Sequence, residues 1–129
     1  QFRVVNFLVP GDNVPAAEFY VTPLTGAAGG ELANVNRWRA QLQLPPVGEA
    51  ELDELATTVE GTAGTFKVFD LASTAPALKS GERARMLAAI LVRGDTSWFF
   101  RLTGEIDHVA AQRENFVNFL KSFRFEATP

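Results

Sequence analysis

A chain of 129 residues, 47% hydrophobic and 21% charged, has the size and composition of one globular domain and is long enough to bury about two-thirds of the surface its unfolded form exposes. Its formal net charge of -3 offers no basic field to a nucleic-acid backbone, and its 0 cysteines exclude a disulfide framework, a thiol nucleophile and a thiolate metal site. No apolar run approaches the ~20 residues of a spanning helix, so no integral membrane segment is expected.

The run Phe2 to Val9 is β-branched and aromatic, and Pro10-Gly11-Asp12-Asn13 supplies turn chemistry before a second strand over Ala17 to Leu24. In that strand Ala17, Phe19 and Val21 alternate with Glu18, Tyr20 and Thr22, the period of a sheet with one buried face. Pro23 marks an edge or a strand terminus. After the flexible run Gly26 to Gly30, helical spacing covers Glu31 to Leu42 until Pro45-Pro46, and Glu49 to Ala56 forms a second short helix with an acidic first turn. Thr57 to Glu60 and Thr65 to Leu71 read as strands around a turn at Gly61 and Gly64, followed by an exposed loop over Ala72 to Glu82.

Arg85 to Val92 and Thr96 to Thr103 form a tight hairpin through Arg93-Gly94-Asp95 and supply the central strands, with Gly104 ending the second. Asp107 is placed to cap one long helix whose stripe Val109, Phe116, Phe119, Leu120 and Phe123 must lie on the sheet. Strands grouped as hairpins, one helical excursion and a closing helix give an α+β class. The expected architecture is an antiparallel β-sheet flanked by helices, one domain over residues 1–129.

The densest polar and aromatic cluster is Asn34-Val-Asn-Arg-Trp-Arg-Ala-Gln-Leu-Gln-Leu-Pro-Pro46. At about 100° per residue, Leu32, Val35, Trp38 and Leu42 share one side of the helix and Arg39 falls among them. A charge on such a stripe must be paired, so Arg39 is expected to be a structural brace. Its expected partner is Asp70, inside an apolar strand, ahead of Glu18 and Glu60. Arg37 points to the opposite, wet side, and Asn34 and Gln41 flank Trp38 about one turn away. Asn34, Arg37, Trp38 and Gln41 are therefore the candidate binding residues, because amides beside an indole face can hold a peptide strand, a sugar or a planar ligand. The alternative has Asn34 and Gln41 satisfying loop backbone while Trp38 fills the edge of the core.

No catalytic residue, metal set or cofactor is expected. The single histidine, His108, has no serine or cysteine relay around it and reads as an exposed polar residue. No spaced His, Cys or carboxylate set suits a metal, and Glu49, Glu51, Asp53 and Glu54 read as a solvated face. The glycine run lacks the Lys-Ser/Thr ending of a phosphate loop.

Three pieces in order, Gly29-Gly30 running into Asn34-Val-Asn-Arg-Trp-Arg-Ala-Gln41, Trp98-Phe-Phe-Arg-Leu-Thr-Gly104 and Phe116-Val-Asn-Phe-Leu-Lys-Ser122, resemble a family of uncharacterised bacterial exported proteins and lipoproteins. That family has a fold similar to the photosystem protein PsbP and the Ran-binding Mog protein. The resemblance spans nearly the whole chain and implies an α/β/α sandwich, a cell-envelope or periplasmic location and a non-catalytic binding or assembly role. Related members carry a further short segment ahead of the first strand. This chain begins at Gln1 without an initiator methionine, so a short N-terminal segment is expected to be missing, and an upstream signal or lipid anchor stays open.

Two functions follow. The leading expectation is a non-enzymatic envelope binding or assembly domain that offers the Asn34–Pro46 helix region to a protein or peptide partner. The alternative is a small-molecule carrier or sensor with a pocket near Trp38, which a closed apolar cavity would favour and a filled core would oppose. Oligomeric state is not legible in the residues.

Overall fold

The computed structural model describes residues 4–25 and 30–125. Its elements are β1 Val5–Val9, β2 Ala17–Thr25, α1 Gly30–Gln41, α2 Glu49–Leu55, β3 Thr57–Gly61, β4 Gly64–Pro76, β5 Arg83–Arg93, β6 Thr96–Glu105, α3 Ile106–Ala111 and α4 Arg113–Ser122. Among the described residues the strands form one six-stranded sheet in the order β1-β2-β6-β5-β4-β3, and each neighbouring pair is antiparallel. The expected α+β class and antiparallel sheet are thus observed, and β5 and β6 are the central strands as expected.

The pleat sorts the apolar side chains into two layers. Phe19, Val21, Phe66, Val68, Phe100 and Leu102 meet Val109, Phe116 and Leu120 of α3 and α4 on one face. Phe69, Leu71, Met86, Ala88, Ile90 and Phe99 meet Val35, Trp38, Leu42 and Leu52 of α1 and α2 on the other. Strand β5 therefore reads as a nearly continuous apolar run from Met86 to Val92, because both its faces are covered.

Local chemistry accounts for the connections. The β5–β6 turn is the two residues Gly94 and Asp95, with Gly94 at φ 63°, the glycine-first arrangement of a type II′ turn. Helix α1 ends in a Schellman motif: Leu44 N–H donates to Arg39 O at 2.8 Å and Gln43 N–H to Ala40 O at 3.0 Å, with Gln43 left-handed at φ 60°. Pro23 does not end β2, which runs on to Thr25. Val4 N–H donates to Val21 O at 2.9 Å, so alternation turns the Pro23 nitrogen toward β1 and away from β6. Pairing with β1 stops at Val5↔Val21, and the tertiary amide nitrogen interrupts no ladder with β6.

Four expectations need correction. Strand β4 continues through Ala72 to Pro76, where a loop was expected; an irregularity between Ala72 and Pro76 carries it on, and the Ser73 hydroxyl accepts from Ala84 N–H at 2.8 Å in place of a backbone rung. Gly104 lies inside β6 rather than ending it: a Cβ there would stand 2.8 Å from the Ala17 Cβ, so the residue is small because β2 passes close. The helix cap is Glu105, not Asp107; its carboxylate accepts from Asp107 N–H at 3.0 Å and His108 N–H at 2.8 Å. The closing helix is two pieces, broken at Gln112, whose N–H turns back to Val109 O at 3.0 Å.

Gly104→Ala is expected to lower unfolding free energy by about 1–3 kcal/mol, since the added methyl meets Ala17 on a neighbouring strand; urea titration measures it. The Asp107 and His108 N–H groups hold the Glu105 carboxyl below its ordinary range. Its stabilisation is complete above the ordinary carboxylate pKa and is lost as pH falls through the lowered folded value. In Glu105→Gln, stability should accordingly fall less steeply between neutral pH and about pH 3, as read from urea midpoints.

Candidate functional site

On the α1 face, two cross-strand pairs of β2 and β6 lie side by side: Tyr20 opposite Arg101, and Thr22 opposite Phe99. Helix α1 stands beside them and contributes Arg37, Trp38 and Gln41, with Arg37 and Gln41 one turn apart. These seven residues line a pocket of about 260 Å³. Trp38 meets Phe99 edge-to-face at 5.7 Å, which fixes both rings in its wall.

Arg101 is the least expected member. An arginine within Trp98-Phe-Phe-Arg-Leu, on a strand paired on both sides, is only 9% exposed. Its guanidinium lies 4.7 Å from the Tyr20 ring centroid and 5.6 Å from that of Trp38, and Nη1 donates to Gln41 Oε1 at 3.3 Å. Aromatic faces and an amide thus carry a positive charge into a buried position. The signal for it was in the sequence, since β6 alternates Trp98, Phe100 and Leu102 against Phe99 and Arg101. Thr22 is 2% exposed, yet its hydroxyl has no hydrogen-bond partner among the described residues. Such a group ordinarily has one.

Three of the four candidate binding residues, Arg37, Trp38 and Gln41, line the pocket together. Asn34 lies behind them and is 1% exposed; its Nδ2 donates to Gly30 O at 2.7 Å, and its Oδ1 accepts from the Arg37 guanidinium. It orients Arg37 and does not line the pocket. The amide that satisfies loop backbone is Asn36, whose Nδ2 donates to Val47 O at 3.0 Å while its Oδ1 accepts from Val47 N–H at 2.8 Å.

The expected Arg39–Asp70 brace does not form. Asp70 alternates with Phe69 and Leu71, which face α1, so its own side chain faces α3 and α4 on the far side of the sheet. There Arg85 grips it through Nε at 2.7 Å and a second nitrogen at 2.9 Å, and Arg113 Nη1 reaches it at 3.0 Å. The Asp70 contact raises the Arg85 pKa further, so that guanidinium stays protonated. Arg39 instead donates from Nε to Pro45 O at 2.8 Å, bracing the end of its own helix. His108 is half-buried rather than exposed: its Nε2 lies 2.9 Å from Val9 O and ties α3 to β1. The acidic residues of α2 are solvent-exposed, as expected. The glycine run lies outside the described residues except for Gly30.

A second cavity of about 300 Å³ opens on the other face between β1 and α4. Phe7, Val9, Phe19, Leu102, Phe116 and Phe119 line it with two amides, Gln112 and Asn115, so it holds no charge to orient a polar ligand. Among the described residues no group of three or more His, Cys, Asp or Glu could hold a metal, and no helix is long and apolar enough to cross a membrane.

No family model and no curated protein matches the sequence. Among solved structures, the crystal structure of PA94 from Pseudomonas aeruginosa, a protein of unknown function proposed to be a regulator, matches with a TM-score of 0.63 at 13% identity. The match covers 99% of this chain and 87% of that one. At that identity the likeness establishes a shared fold and nothing about chemistry.

Thr22→Val replaces the unpartnered hydroxyl with a methyl of similar shape. Without ligand it should leave stability unchanged or raise it by about 1 kcal/mol, as read from a thermal or urea midpoint. A loss of that size would mean that the hydroxyl is already satisfied.

Proposed function

We propose that the chain is a non-enzymatic binding domain that recognises a small polar ligand in the pocket between α1 and the β2–β6 pair. The observation that carries this reading is that Thr22, whose buried hydroxyl is unpartnered among the described residues, lines a cavity with two guanidinium groups. A ligand oxygen or nitrogen would satisfy it. The pocket is neither closed nor apolar, so a carrier of apolar cargo is the poorer reading of it.

The lining supports binding over catalysis. Guanidinium groups stay protonated at any accessible pH and do not exchange protons as general acids or bases do. Tyr20, Trp38 and Phe99 supply ring faces, and Gln41 holds Arg101. A sensor of this kind is in keeping with the regulatory role proposed for PA94. The cell-envelope setting and the PsbP-like description rest on the resemblance carried by the pieces Gly29 to Gln41, Trp98 to Gly104 and Phe116 to Ser122.

A protein or peptide partner on the Asn34–Pro46 region is a second reading with an observation of its own. Asn36 clamps Val47 and Arg39 holds Pro45, so the exposed Pro45 and Pro46 are presented in a fixed conformation, which lowers the ordering cost of association.

Two-dimensional NMR of the ¹⁵N-labelled protein against a chemically diverse fragment set separates the two. The pocket reading expects perturbations concentrated at Tyr20, Thr22, Trp38, Gln41 and Arg101, abolished or reduced about tenfold in affinity by Trp38→Ala or, should that variant lose its fold, by Gln41→Ala. Perturbations confined to Gln43 to Val47, or to the α3–α4 face, would overturn it.

A further inference from the structure

We propose that the ligand group this pocket takes is a carboxylate, with the rest of the ligand lying as a small flat or apolar body against Trp38 and Phe99. The inference rests on the reading of the pocket as a recognition site and names its ligand class. Among the described lining residues the charged side chains are both cationic, Arg37 at the mouth and Arg101 in the wall, and no carboxylate lines the cavity. Arg101 already has Gln41 and two rings as partners, so the exposed Arg37 is the guanidinium placed to meet a single negative charge.

Three features narrow the anion. Asn34 holds the exposed Arg37 through its carbonyl, so the guanidinium is oriented before a ligand arrives and less entropy is lost on binding. Thr22 lines the cavity, and turning its unpartnered hydroxyl into it would give one carboxylate oxygen a neutral donor while a guanidinium takes the other. The cavity also abuts the C-terminal half of α1, at Arg37, Trp38 and Gln41, where the helix dipole is negative. Phosphate sites use the opposite end, where backbone N–H groups point outward. That partial negative charge offsets part of the cationic lining, so a monoanion is matched better than a dianion. At about 260 Å³ the space lies below the ~300–1,000 Å³ of pockets for drug-sized ligands, which limits the occupant to a small acid or the carboxyl end of a peptide.

The test is a titration followed by ¹⁵N NMR and calorimetry, with benzoate, benzamide, benzylamine and inorganic phosphate, and with a short aromatic-terminated peptide as its free acid and its amide. Benzoate should bind at the pocket at least about tenfold more tightly than benzamide, and benzylamine should not bind. Arg37→Gln should weaken benzoate about five- to twentyfold at an unchanged melting temperature, and Thr22→Val should weaken it several-fold without loss of fold. Tighter binding of the free-acid peptide than of benzoate supports the proposal with a protein terminus as the source; the reverse supports it with a free organic acid. Benzamide binding as well as benzoate, or phosphate displacing benzoate at equal concentration, would overturn the carboxylate and leave the pocket a recognition site. No perturbation of the pocket by any probe here or in the diverse fragment set would overturn both.

Discussion

Each residue of the central strands commits its side chain to one of two layers, and the pleat admits no exchange between them. In β6 this separates Phe100 and Leu102, packed under α3 and α4, from Phe99 and Arg101, which face α1. A register slip of one residue would drive Arg101 into the aromatic layer that holds Phe66, Phe116 and Phe119 and would place Phe100 beside the pocket. An uncompensated charge in that layer is among the costliest faults a core can carry. The arginine therefore helps fix the register of the sheet while also giving the pocket its charge.

The sheet constraint also explains what the sequence made legible. Strand periodicity, the Gly94–Asp95 turn and the Pro45–Pro46 stop are local signals, and each hairpin and helix they imply is present. Contacts between elements distant in the chain were not legible. Asp70 looked like a partner for Arg39 because both interrupt apolar patterns, but sequence periodicity does not say which of two faces a strand residue shares with a given helix. Gly104 and Ser73 misled for a related reason. A glycine required by the neighbouring strand Ala17–Thr25, and a serine standing in for a missing backbone rung, both resemble loop residues when read alone.

At the candidate site the α1 half was legible and the sheet half was not. Helical spacing grouped Arg37, Trp38 and Gln41, and all three line the pocket. Tyr20, Thr22, Phe99 and Arg101 come from strands roughly 15 to 65 residues away from Arg37 to Gln41 in the chain, and only the antiparallel register of β2 and β6 brings them together. Asn34 shows the opposite effect. A polar residue at the start of the Asn34–Gln41 motif is buried and supports Arg37 from behind.

The two layers share the sheet backbone but few side-chain contacts, and this bears on how such a domain can change over evolutionary time. Substitutions at sites far apart and without common partners combine nearly additively. Residues of the α3–α4 layer, with its interlocked rings Phe100, Phe119 and Phe123, can maintain the stability threshold while residues around Trp38 vary. A lineage could then retune what enters the α1 pocket without first finding compensating changes in the opposite layer. The sheet works as a partition: selection on recognition acts on one side of it, and selection on persistence acts on the other.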